Sequence, residues 1–98
     1  MTGVYTISPR ARRDLDEIWA YTQRHWGIDQ AEIYLRQIGR HVEMVAARPM
    51  MGRACPEIRA GYFQYPSGSH VLFYRLTEGG IDVVRILHER MDVGRHVR

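Results

Sequence analysis

Lysine is absent from this sequence, so all fourteen basic residues are arginine. Against eleven acidic residues they give a net charge of +3 and an isoelectric point near 9.4. The arginine guanidinium is a planar fork that matches carboxylate and phosphate groups. The composition therefore indicates an acidic partner, either nucleic acid or polypeptide. Codon bias in a GC-rich genome is the alternative explanation for the missing lysine.

Cysteine and long apolar runs are also scarce. The single Cys55 cannot form an intrachain disulfide, which favours a reducing compartment, and a lone thiol is more often inert than reactive. No run approaches the ~18 apolar residues that span a membrane. Residues 1–17 lack the basic start and apolar core of a signal peptide. We therefore expect a cytoplasmic protein, and its length predicts a single domain over residues 1–98.

The chain begins with a predicted strand and helix. VYTIS, at residues 4–8, is rich in β-branched and aromatic residues. Ser8 is then a helix cap, Pro9 suits the first helical position, and Gly27 ends the helix. The predicted core stripe of this helix consists of Leu15, Ile18, Trp19, Thr22 and Trp26.

A second helix is predicted to fold back on the first, because the link between them is short. Asp29, with Glu32 three residues later, resembles a capping box and indicates the start, and Arg48-Pro49 ends the helix. Its predicted core stripe consists of Ala31, Tyr34, Leu35, Ile38, Val42 and Val45.

The second half of the chain predicts strands at residues 58–65, 70–76 and 81–89. The connectors PSGS and EGG have the composition of tight turns, so the three strands form an antiparallel meander. The predicted fold class is α+β with the order β-α-α-β-β-β. A helical hairpin packs on one face of a small, mainly antiparallel sheet.

Both faces of the last predicted strand are apolar. Regular alternation places Ile81, Val83 and Leu87 on one face and Val84 and Ile86 on the other. Two helices cover only one face, so we expect a binding partner to cover the second. The alternative is that the loop at residues 49–57 or the C-terminal tail supplies the cover.

Five segments, taken in order, resemble the ParE-type toxins of the bacterial RelE/ParE superfamily. They are YTISPRARRDLDEIWAY, HWGIDQAEIYL, RPMMGRACPEIRAGY, GSHVLFYR and IDVVRILHERMD. The third contains the family's motif of a Pro followed a few residues later by Gly-Arg, here from Pro49 to Arg53, and the last contains the His-x-Arg ending, here from His88 to Arg90. The resemblance implies a type II toxin held inactive in a hetero-oligomer with a ParD-like antitoxin. ParE toxins are associated with inhibition of DNA gyrase, whereas RelE relatives cut messenger RNA on the ribosome.

On the gyrase interpretation the protein works by binding and uses no catalytic residue, metal or cofactor. The last strand then presents a surface segment, and the predicted target-binding residues are His88, Arg90, Met91 and Arg95, with Arg98 at the end of the same tail. The predicted antitoxin-binding residues are Val84 and Ile86 on the second sheet face, with Arg53 and Arg75. A frayed terminus without a role is the alternative for the tail.

On the nuclease interpretation, Arg59, Arg75, Arg85 and His88 supply the cations and the titratable group that phosphoryl transfer needs. Two features oppose it. His88 and Glu89, which is a possible base, alternate to opposite faces of the strand and so are not expected to serve one centre. RelE-like enzymes also use a basic cluster with lysines, which this chain lacks. The strand arginines also have a structural interpretation, in which their stems cover apolar surface and their heads reach solvent.

The histidines and the large aromatic residues need no further function. The five histidines and Cys55 show no metal-ligand spacing. The aromatic residues on the helical stripes, Trp19, Trp26 and Tyr34, are predicted to be core residues more than a recognition surface.

Overall fold

A computed structural model describes residues 3–91, which form two long helices and five strands. The elements are β1 (Val4–Ile7), α1 (Pro9–Trp26), α2 (Ile28–Ala47), a 3-10 turn (Pro49–Met51), β2 (Arg53–Ala54), β3 (Tyr62–Ser67), β4 (His70–Thr77) and β5 (Gly80–His88). The predicted α+β class and order are confirmed, with β2 as an addition. Two residues are too short to show a strand period, so β2 has no sequence signal. Neither of these helices has an apolar stretch long enough to cross a membrane.

The strands form one mixed sheet in the order β1-β5-β4-β3-β2. β1 is parallel to β5, and the other neighbours are antiparallel. The turns between β3 and β4 and between β4 and β5 contain Gly68 (φ 61°) and Gly79 (φ 80°), in a backbone region that favours glycine. β1 passes so close to Gly80 that a side chain there would collide with the Val4 carbonyl.

One residue separates the two helices. Ser8 caps α1 as predicted, because its Oγ accepts a hydrogen bond from the Ala11 N–H at 3.0 Å. Gly27 (φ 92°) ends α1, and α2 begins immediately afterwards without a side-chain cap. The predicted cap at Asp29 was therefore wrong, because Asp29 already lies inside the first turn of α2.

The hairpin packs on one face of the sheet, but α1 is rotated relative to the prediction. Ile18 is 7% exposed, whereas Trp19 is 36% and Trp26 is 70% exposed. Each helical residue advances about 100°, so Trp19 lies to the side of the stripe that Ile18 marks, and Trp26 is the last residue of α1. The prediction that both tryptophans are core residues was wrong. The main core is Ala11, Ile18, Ile38, Val42, Val45, Ala46, Leu72, Tyr74, Ile81, Val83 and Ile86, with Tyr34 packed against it.

A β-bulge in β5 reverses the predicted alternation. Phe73 pairs with Arg85 and Tyr74 pairs with Val83, so Val84 is an extra residue in β5. A bulge moves all later residues to the opposite face. Ile86 therefore lies in the main core, 2% exposed, and Leu87 joins Val84 on the other face. The prediction that Val84 and Ile86 share an uncovered face was wrong.

The chain itself covers part of the second sheet face. Phe73 and Leu87 are buried there against Cys55, with Ile58 and Tyr62 packed around them. The loop thus supplies the cover at this point, while Val71 and Val84 stay partly exposed. Cys55 is fully buried, and burial raises the pKa of its thiol, as expected for an inert cysteine.

Candidate functional site

β1 pairs with β5 only as far as Val83, and residues at the start of α1 hydrogen-bond to the next backbone groups along that edge of β5. The Ser8 N–H donates to the Val83 carbonyl and the Ser8 Oγ donates to the Val84 carbonyl, both at 2.9 Å. The Ile86 N–H donates to the Asp14 carboxylate at 2.9 Å. Two polar side chains therefore take over the hydrogen bonds that a longer β1 would have made.

Asp14 also forms a buried ion pair with Arg85. Arg85 Nε and Nη2 donate to the two carboxylate oxygens at 2.8 and 3.0 Å. The two side chains are only 12% and 10% exposed, and the hydrogen bond to Asp14 raises the pKa of Arg85. The expectation that the Arg85 head reaches solvent was wrong, because this guanidinium joins β5 to α1.

A cleft of about 760 Å³ lies between α1 and the end of β5. His88 and Met91 line it on one side and Tyr21 on the other. Arg90 and Met91 follow the strand and are exposed, with Met91 at 43%. These residues and the cleft are the candidate functional site. Arg95 and Arg98, the other predicted tail residues, lie outside the described residues.

Beside this cleft, His70 forms a hydrogen bond with Tyr34, and its ring contacts the ring of His88. Tyr34 Oη lies 2.6 Å from His70 Nδ1 and accepts the Ser69 N–H at 3.0 Å. The Tyr34 proton is thus available to Nδ1 of a neutral His70. The rings of His70 and His88 are 5.4 Å apart. Sequence reasoning missed this cluster, because Tyr34 and His70 are 36 residues apart in the chain.

The environment of His70 disfavours its charged form. Burial is the main cause of a pKa below the ordinary 6.5, and the neighbouring His88 adds to the shift, while Glu89 and Asp14 oppose it. As pH falls below 6.5, the unfolded chain therefore binds a proton at this position before the folded protein does. The stability that His70 contributes is complete above pH 6.5 and is lost as pH falls towards its lower folded pKa.

We therefore predict that His70→Gln flattens the dependence of stability on pH below 6.5. The free energy of unfolding is measured by urea unfolding at pH 7.0, 6.0 and 5.0. The wild type should lose stability over this series, and the variant should lose less. His25→Gln, on the exposed side of α1, is the matched control and should keep the wild-type slope. If the His70 variant loses as much stability with falling pH as the wild type does, His70 is not a source of the pH dependence.

The opposite sheet face carries a row of polar side chains at matching register. Tyr62 pairs with Arg75, Arg75 with Asp82, and Asp82 with Thr6. Arg75 Nε donates to Asp82 at 3.1 Å, and Thr6 donates to the same carboxylate at 2.7 Å. The Arg59 guanidinium lies 5.7 Å from the centre of the Tyr62 ring.

The structure does not bring together the four residues of the nuclease interpretation. Arg85 is paired with Asp14, and Arg75 lies in the polar row with Arg59 beside it. His88 is six residues beyond Asp82 along β5, or roughly 20 Å at ~3.3 Å per residue. No single phosphate could contact all four. Within residues 3–91, no three His, Cys, Asp or Glu side chains are grouped to hold a metal ion.

Comparison with known proteins agrees with the architecture. Residues 5–93 match the family described as "ParE toxin of type II toxin-antitoxin system, parDE". Toxin ParE1 of Mycobacterium tuberculosis is 54% identical over 98 residues, covering 99% of this chain and 100% of that protein. Toxin ParE1 of Caulobacter vibrioides is 42% identical over 93 residues, covering 95% and 96%.

A solved structure shares the fold. The chain from "Chromosomal ParDE TA system from P. aeruginosa" superposes with a TM-score of 0.76 at 18% identity, covering 88% of this chain and 95% of that one. The family match spans most of the chain, and the relatives match over nearly their whole length. This chain therefore belongs to the ParE toxin family.

Proposed function

We propose that this protein is the toxin of a type II toxin–antitoxin system, that it inhibits DNA gyrase by binding in the cytoplasm, and that a ParD-like antitoxin neutralises it. Family membership supports the toxin role. Arg59 and Arg75 lie together in one cleft, whereas Arg85 and His88 line the other cleft, beside α1. The separation of these two pairs is the observation that supports binding over nuclease chemistry. A phosphoryl-transfer site must hold its cations and its acid or base around one phosphate.

The proposed target contact is the end of β5 and the residues after it. His88 and Met91 line the cleft beside α1, and Arg90 is exposed between them. This surface combines an apolar cleft with cationic groups, as protein interfaces do. We include Arg95 of the C-terminal tail in the proposed target contact.

The proposed antitoxin contact is the open sheet face. Val84 is partly exposed there, and Arg53 and Arg75 are exposed. Ile86 no longer belongs to this set, because it is buried under the helices. An antitoxin that covers the face would shield Val84 and add acidic partners for the arginines.

A comparison of two targets tests the function. Purified protein is added to gyrase in a DNA supercoiling assay, and to ribosomes with messenger RNA in a cleavage assay. We expect loss of supercoiling and intact messenger RNA. Unchanged supercoiling with rapid cleavage of ribosome-bound messenger RNA would replace this proposal with the nuclease interpretation.

Co-expression tests the partner. Growth should stop when the toxin is expressed alone and resume when a ParD-like protein is expressed with it. Normal growth with the toxin alone, from a folded and soluble chain, would contradict the toxin assignment.

A further inference from the structure

The residues at the end of β5 form a short turn that depends on one ring nitrogen. We call residues 88–91 the contact segment, because they include His88, Arg90 and Met91 of the proposed target contact. The Arg90 N–H donates to His88 Nδ1 at 3.2 Å, and the Met91 N–H donates to the His88 carbonyl at 3.0 Å. The conformation of the contact segment therefore depends on how the His88 ring is placed.

The hydrogen bond from Arg90 requires one protonation state of His88. A backbone N–H can only donate, so Nδ1 must be the ring nitrogen that carries no proton. His88 is therefore neutral in this arrangement, with its proton on Nε2. A His88 ring that is turned over, or that carries a proton on both nitrogens, could not accept the Arg90 N–H. A contact that selects the orientation of the His88 ring thus also selects the conformation of the contact segment.

His70 packs against the His88 ring from the neighbouring strand. The two residues are partners in the register of β4 and β5. Their rings meet edge to face, with centroids 5.4 Å apart and planes at 86°. Cross-strand ring pairs favour such an arrangement, because the edge of one ring is electropositive and the face of the other is electronegative. His70 therefore restricts the rotation of the His88 ring.

Tyr34 of α2 holds both His70 and the turn that precedes it. Tyr34 Oη lies 2.6 Å from His70 Nδ1 and accepts the Ser69 N–H at 3.0 Å. The turn also lies directly against the Tyr34 ring, since a Cβ at Gly68 would be 2.7 Å from it. The Ser69 carbonyl in turn accepts the Glu89 N–H at 2.9 Å. The contact segment is thus joined to α2 through the backbone of this turn and through the two histidine rings.

We propose that Tyr34 and His70 are positioning residues for target binding, which hold the His88 ring so that the contact segment has its binding conformation before the target arrives. A segment that is ordered in advance loses less conformational entropy on binding. The apparent affinity falls with the fraction of molecules in the competent conformation. This inference rests on the proposed function, because the target is the gyrase named there. It adds two half-buried residues on which the contact depends.

Tyr34→Phe tests the proposal, because it removes only the hydroxyl group that joins α2 to His70. The matched control is Tyr65→Phe, which removes the same atom from another half-buried tyrosine beside the main core, whose ring packs against His41 instead. We expect Tyr34→Phe to inhibit gyrase supercoiling about tenfold more weakly than wild type, and Tyr65→Phe to stay within about twofold. His70→Ala removes the ring as well and should weaken inhibition at least as much as Tyr34→Phe. Circular dichroism and thermal melting confirm that the full-length variants fold.

Nuclear magnetic resonance of the free toxin separates positioning from direct contact with the target. In ¹⁵N-labelled protein at pH 7.5, the ring signals of His88 show which nitrogen carries the proton. The exchange rate of the Arg90 amide proton reports whether its hydrogen bond is kept. We expect wild type to carry the His88 proton on Nε2. In Tyr34→Phe and His70→Ala, His88 should show a mixture of the two neutral forms, and the Arg90 amide should exchange faster with solvent.

The outcomes separate the positioning role from the function. Equal inhibition by Tyr34→Phe, Tyr65→Phe and wild type would overturn the positioning role while leaving gyrase inhibition intact. Weaker inhibition by Tyr34→Phe with unchanged His88 and Arg90 signals would also overturn it, in favour of direct contact between Tyr34 and the target. If wild type does not inhibit gyrase, the proposed function fails. A mixture of His88 forms in Tyr34→Phe would then still support the ordering of the contact segment, and unchanged signals would overturn it.

Discussion

Asp14→Ala is expected to lower the free energy of unfolding by about 3–5 kcal/mol, because it breaks the buried ion pair between Asp14 and Arg85. The Asp14 side chain is only 10% exposed, so water cannot replace it fully. It also accepts the Ile86 N–H, which would lose its partner in the variant. A domain of this size has a total stability of roughly 5–15 kcal/mol. Urea unfolding should therefore show a protein close to the limit of folding.

Two further variants test this explanation. Asp16→Ala changes an exposed carboxylate two residues away on α1 and should cost less than about 0.5 kcal/mol. Asp14→Ala with Arg85→Met removes both charges, and it should regain part of the loss because replacing a whole buried ion pair is far less costly than breaking one. A double variant as unstable as Asp14→Ala would show that the remaining charge of Arg85 is not the main cause of the lost stability.

Removal of residues 90–98 is expected to reduce gyrase inhibition by about a hundredfold or more, if His88, Arg90 and Met91 form the centre of the target contact. A few central residues usually carry most of the binding energy of an interface. The fold should survive, because Arg90 and Met91 are exposed and chain ends make few core contacts. Supercoiling assays measure the inhibition, and circular dichroism checks the fold.

Single alanine variants, compared in a growth assay, distinguish target binding by the tail from the nuclease interpretation. Arg75→Ala should remain toxic, since Arg75 lies on the open sheet face, away from the proposed target contact. Antitoxin binding by the truncated protein should also persist at that face. The opposite outcome is a folded truncated protein that keeps full toxicity, together with an Arg75→Ala or His88→Ala variant that has lost its toxicity. That outcome would assign the function to the residues of the nuclease interpretation.

The sequence alone determined the order and bounds of most elements. Ser8-Pro9, Gly27 and Arg48-Pro49 act on their immediate neighbours, through a side-chain cap, a positive φ and a missing N–H, so their effect can be seen without the fold. The stripe of α2 follows the same local logic. The resemblance to the ParE toxins also required only the order of short segments.

The tertiary structure alone decided which residues meet and which face each one occupies. The bulge at Val84 is imposed by pairing with β4, and it moved Ile86 from a predicted interface into the core. Asp14 and Arg85 are 71 residues apart, and no local pattern links them. Trp19 and Trp26 fit the helical spacing of a core stripe, but both are exposed. The spacing of apolar residues shows which of them share a helix face, whereas packing against the sheet decides which face is buried. Local chemistry therefore fixed the elements of this protein, while contacts between distant segments fixed its surfaces.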